Sequence, residues 1–167
     1  GVPGMDCTMG ATAERILQFA DALGMGEFDL LGTSHGGAVA MLAAALCTER
    51  GASRLRRLFL VAPVNPWSAH GKRLAPLLGS ALGKAVFRRT IARWRFLDSL
   101  WLRRMFGEGS RIPSDSLEGY RVPVRQNRAY EHALRIVGNW TADLKQLEAV
   151  IPKIAHYPTL LIWGTRD

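Results

Sequence analysis

The chain has 167 residues, 48% of them apolar, with two cysteines and a net charge of +8. That apolar fraction excludes a disordered chain, and two cysteines exclude a disulfide scaffold and point to a reducing compartment. The longest apolar run, Gly36 to Cys47, is shorter than the roughly 20 residues that cross a bilayer and reads as a buried helix.

Taken in order, Thr8 to Leu23 reads as a helix. Ile16, Leu17, Phe19, Ala20 and Leu23 recur at helical spacing, and Gly24 suits the position past its end. Phe28 to Gly32 reads as a short strand, and Ala38 to Cys47 as a helix apolar nearly all round. Arg56 to Pro63 is a second strand ended by proline, and Pro158 to Gly164 a third. Strands apolar on both faces and separated by helices predict an α/β fold. About three parallel strands are expected, with helices on both faces of the sheet.

Roughly 90 residues between the second and third strands carry no strand pattern. Lys84 to Phe106 has Phe87, Ile91, Trp94, Leu97, Trp101 and Met105 at helical intervals. Asp115 to Gly119 and Ala129 to Val137 read as further helical pieces. A last helix is expected to open on Thr141 as N-cap and to end at Pro152. So long a helical insertion between two strands of one sheet predicts a cap over the sheet end. The expected organisation is a core segment over 1–65, a cap over 66–152 and a returning strand over 153–167.

Charge is concentrated. Residues 71–111 hold ten Lys/Arg against two acids, and the remainder has twelve of each sign. No recognition motif accompanies the basic block, so nucleic acid is not an expected partner. One reading of the block is contact with an anionic membrane through Trp94, Trp101 and the arginines. A cap whose apolar stripe lies on the sheet while its arginines stay in water is the simpler expectation. No metal-ligand spacing or dinucleotide fingerprint stands out, so neither metal nor cofactor is expected.

The chemistry centres on Gly32-Thr33-Ser34-His35-Gly36, set between a strand and a buried helix. An abrupt strand-to-helix turn holds one side chain out of the sheet top, and small neighbours, here Gly32 and Gly36, let the two backbones approach. The amide of His35 then lies at the positive end of the helix, where it can donate to a developing oxyanion. Asn65 and Trp67, just past the second strand, are candidates to border a substrate cleft.

The stretches Phe28 to Ala40, Arg56 to Pro63 and Pro158 to Asp167, in that order, resemble the α/β-hydrolase fold superfamily over nearly the whole chain. The resemblance implies that Ser34 is the nucleophile and the His35 amide one oxyanion donor. Gly164-Thr165-Arg166-Asp167 is similar to the family's strand-Gly-x-x-Asp motif, so Asp167 is the implied triad acid. The other place for that acid reads Pro63-Val64-Asn65-Pro66 and holds none. A serine at the turn argues against aspartate-nucleophile relatives such as dehalogenases and epoxide hydrolases.

Two departures stand out. The triad order is serine, acid, histidine, and no histidine follows Asp167. His35 adjoins the nucleophile, His70 and His132 lie in the expected cap, and His156 precedes the last strand. The family's first strands and second oxyanion loop are not in the sequence either. The chain therefore reads as the middle of a longer hydrolase, with its true N-terminus upstream and a cytoplasmic location by default. The implied function is a serine hydrolase acting on a small ester-like substrate through a Ser-Asp-His triad. The alternatives are a non-catalytic binding or scaffold member of the fold, or a lipid-surface-binding protein.

Overall fold

A computed structural model describes residues 4–67, 74–90, 119 and 129–165. Two compact units emerge, residues 1–5 with 73–138, and residues 6–72 with 139–167.

The second unit holds the sheet. Helix α1 (Met9–Ala22) opens on Thr8, whose hydroxyl accepts from the amide of Ala11 at 3.2 Å. This satisfies one of the donors that a helix start leaves over. Strand β1 (Phe28–Thr33), helix α2 (His35–Glu49) and strand β2 (Leu55–Val61) follow. Strand β3 (Thr159–Ile162) completes a parallel sheet in the order β1-β2-β3. The three expected strands are therefore present and adjacent.

Helix α1 buries Met9, Ala13, Leu17 and Ala20. Phe19 and Leu23, expected in its apolar stripe, are exposed instead. The buried face carries two alanines and no residue branched at Cβ, which lets α1 lie close to α2, and α2 buries Gly37 to Ala45 without interruption. On the sheet, Leu58 and Leu60 join this core. Leu31 pairs with Phe59 in the register and is 66% exposed.

Helix α5 (Ala129–Ile154) is one continuous helix, where the sequence predicted two pieces broken before Thr141. Leu144, Leu147, Val150 and Ile154 enter the core and Trp140 packs against it, and this burial outweighs the weak helix preferences of Gly138, Asn139 and Thr141. Pro152 lies inside the helix rather than ending it. It removes a single amide near the C-terminus, where the carbonyl left over belongs to the exposed Glu148 and can face water.

Asp143, also on α5, is the one buried acid of the described core, at 2% exposure. It accepts from the Met9 amide at the start of α1, yet burial pushes its carboxyl above the usual carboxylate range. Its Oδ2 has no hydrogen-bond partner. Cys7 and Cys47 are buried and not joined by a disulfide, and burial raises the pKa of Cys47.

The other unit contains α3 (Leu74–Gly79), α4 (Ala81–Thr90) and the first turns of α5. Ser80 caps α4 by accepting from the Gly83 amide at 3.0 Å. A Cβ on Gly83 would stand 1.8 Å from the Leu77 carbonyl oxygen, so only glycine allows the tight α3–α4 turn. Helix α4 covers the start of the expected 84–106 helix. The rest of that helix and residues 115–118 of the next expected piece lie outside the described residues.

Candidate active site

Strand β1 ends at Thr33 and α2 begins at His35, so a single residue makes the turn. Ser34 adopts φ +50° and ψ −121° to do so. For an L-residue this brings Cβ against its own backbone, and such a conformation persists only when its surroundings over-determine it. Three backbone bonds hold it. The Ser34 N–H donates to the Val61 carbonyl at 2.9 Å, and the Ser34 carbonyl accepts from the amides of Gly37 and Val64, both at 3.0 Å.

A serine at a helix N-cap ordinarily turns its hydroxyl back onto a first-turn amide. Ser34 makes no such bond and is exposed. The hydroxyl is therefore not spent on the helix start.

The glycines around Ser34 divide unexpectedly. A Cβ on Gly32 would lie 2.4 Å from the Gly36 carbonyl oxygen and 2.8 Å from the Gly37 Cα. A Cβ on Gly37 would lie 2.6 Å from the Pro63 Cβ. At Gly36 it would meet nothing within 4 Å. Gly32 therefore has no room for a side chain. At Gly36 the expectation of a glycine forced by close approach is corrected: the backbone there is in close approach, but the absent side chain that matters is that of Gly37.

His35 supplies the first amide of α2, at the positive end of its dipole. Its ring stacks on the Trp140 indole, with centroids 6.4 Å apart and planes at 20°.

The register aligns the carboxyl ends of all three strands. Thr33 pairs with Val61, and Val61 with Ile162. The loops that follow therefore leave the sheet side by side. Past β2, Ala62 has φ +40°, a second non-glycine in the left-handed region, and its N–H donates to the Ile162 carbonyl at 2.7 Å. Asn65 is half-buried, and its Oδ1 accepts from the Trp67 amide at 3.1 Å. The Trp67 side chain is 65% exposed. Past β3 come Trp163, Gly164 and Thr165. Asp167 lies outside the described residues, as does His70.

His156 belongs to the opposite end. It shares a cavity of about 390 Å³ with Leu55, at the start of β2, and with Pro158, ahead of β3. His132 lies on α5 within the 73–138 unit. Among the described residues no group of three or more His, Cys, Asp or Glu could hold a metal ion.

The sequence matches the model of the alpha/beta hydrolase family over residues 3–167. The chain belongs to that family. Solved structures with the same fold include a proposed epoxide hydrolase from Pseudomonas aeruginosa, with a TM-score of 0.75 and 20% identity over 98% of this chain and 57% of that one. Cfl2 from Burkholderia cenocepacia gives 0.71 and 16% over 95% and 56%. A point variant of the haloalkane dehalogenase DatA from Agrobacterium tumefaciens C58 gives 0.65 and 15% over 95% and 57%. This alpha/beta hydrolase chain thus spans less than two thirds of each structure. No curated protein sequence matches it.

In this hydrolase-fold chain the residues that sequence reasoning passed over are Gly37, Ala62, Pro63 and Val64. Gly37 had a visible signal, since it doubles the glycine after His35. The other three carry none, because their role depends on how the end of β2 meets the start of α2.

Proposed function

We propose that the protein is a serine hydrolase that attacks an ester or related carbonyl through Ser34. The observation that carries this reading is the strained, exposed Ser34, whose hydroxyl is left unused by the helix it starts. Strain at a residue that performs no local structural task is a pointer to function. The fold likenesses, all at 20% identity or less for the structures named, support the architecture and carry no substrate over to this chain.

In this reading Ser34 Oγ attacks the substrate carbonyl carbon and passes its proton to a base. The negative oxygen that results accepts from the His35 amide, aided by the α2 dipole. Collapse of the adduct expels the alcohol, which takes that proton from the base; water, giving a proton to the same base, then attacks the acyl-serine, and Ser34 Oγ leaves with that proton as the acid is released. Asp167 is proposed to orient the base, a histidine that none of the four in these 167 residues is proposed to supply. His156 sits at the wrong end of the strands, and the His35 ring lies against Trp140. Asn65 and Trp67 are proposed to border the substrate.

A fluorophosphonate probe tests this on the full-length protein. Labelling should occur at Ser34 and disappear in Ser34→Ala. Labelling that persists in the alanine variant assigns the wrong nucleophile, and a folded wild type that takes no label points to a binding member of the fold.

A further inference from the structure

We propose that the segment Val61 to Val64 is a positioning device for Ser34, a clamp that fixes the direction of its hydroxyl. The proposal rests on Ser34 being the nucleophile.

Two residues three apart in sequence grip the same serine. The Val61 carbonyl takes the Ser34 N–H, and the Val64 N–H takes the Ser34 carbonyl. An extended chain would carry residue 64 about 10 Å beyond residue 61, at roughly 3.3 Å per residue. The chain must therefore turn sharply between them. Ala62, at φ +40°, lies within that turn.

Each residue of the segment is itself fastened. The Ala62 N–H is bonded to Ile162 of β3. Pro63 is buried, and its ring lies where a side chain on Gly37 would be. Val64 packs its side chain against the core. The clamp is thus tied to the neighbouring strand, to the first turn of α2 and to the core. The proline ring further restricts the backbone between the two gripping residues.

Such over-determination is what a strained conformation needs in order to persist. Both backbone polar groups of Ser34 are fixed from one short segment, so Cα and Cβ have little freedom to drift. A displacement of a reacting atom by about 1 Å costs on the order of 10²-fold in rate. Val64 and Pro63 would thus act on the reaction through Ser34 and not by touching substrate.

The test compares Val64→Pro, which deletes the gripping N–H, with Val64→Ala, which keeps it. Inactivation by a fluorophosphonate is resolved into Ki and kinact on the full-length protein, with folding checked by circular dichroism. Val64→Pro should lower kinact by 10- to 100-fold with Ki within twofold of wild type, and the donor-retaining Val64→Ala should recover kinact to within threefold. A folded Val64→Pro with wild-type kinact overturns the clamp, as do equal losses in both variants, which would make packing the cause. Should Val64→Pro fail to fold, Pro63→Ala decides: kinact lowered threefold or more at constant Ki supports the clamp, and wild-type kinact overturns it. A wild type without Ser34-dependent labelling overturns the nucleophile reading itself, and the clamp's purpose with it.

Discussion

A Cβ on Gly32 would stand 2.4 Å from the carbonyl oxygen of Gly36. Strand β1 and helix α2 therefore cross at a distance that only a residue without a side chain allows. The obstructing atom is backbone, so no rotamer change can relieve the clash. Gly32→Ala should destabilise the fold by at least the upper end of the about 1–3 kcal/mol typical of overpacking. Gly36→Ala, with open space around it, should be neutral or up to about 1 kcal/mol stabilising, since alanine is the better helix former. Urea denaturation of the pair measures the contrast, and equal effects at both positions would refute the geometry.

Ser34→Gly isolates the strain at the turn. Glycine enters the left-handed region without the about 1–2 kcal/mol that an L-residue incurs there. The hydroxyl makes no cap bond that the variant would lose. After the larger backbone entropy of glycine in the unfolded chain is subtracted, a net gain of about 0.5–1 kcal/mol is expected. Fluorophosphonate labelling should vanish in the same variant. A loss of stability would show that the serine is there for the fold.

Asp143 gives a pH signature. Its folded pKa is raised, chiefly by burial. The folded state therefore holds this proton more tightly than the unfolded state, and stability falls as pH rises from near the ordinary carboxylate value of 3.8 towards the folded pKa. Below 3.8 both states are protonated and nothing is lost. Asp143→Asn keeps an acceptor for the Met9 amide and carries no charge to bury. It should match or exceed wild-type stability at pH 7, with the advantage gone below 3.8. Thermal melts across that range would reveal an error in sign as an advantage confined to acid.

Leu147 is fully buried on the last turns of α5. Leu147→Ala should cost about 2–5 kcal/mol, as cavity-forming truncations do. Thr8→Ala, which removes the α1 cap, should cost only about 1 kcal/mol. Chemical denaturation orders the two. A smaller loss at Leu147 than at Thr8 would mean that α5 does not contribute to the core of the sheet unit.

The sequence alone determined the order and type of the core elements and the residue at the turn. Parallel strands buried between helices read as unbroken apolar runs, and a serine flanked by glycines between strand and helix is a local pattern, set by contacts near in sequence. The burial of the helix that runs to Cys47 was legible for the same reason. Tertiary structure decided what depends on residues far apart. Gly37 is forced by Pro63, and the backbone of Ser34 is held by Val61 and Val64, on a different strand and its loop. Gly138, Asn139 and Thr141 form helix against their own preferences because Trp140, Leu144 and Leu147 pack on the core. Phe19 and Leu23 face water although their spacing suited the core, because α1 packs on α2 through its smaller face. Local sequence specifies which backbone shapes are open to a segment, and the burial of distant partners selects among them.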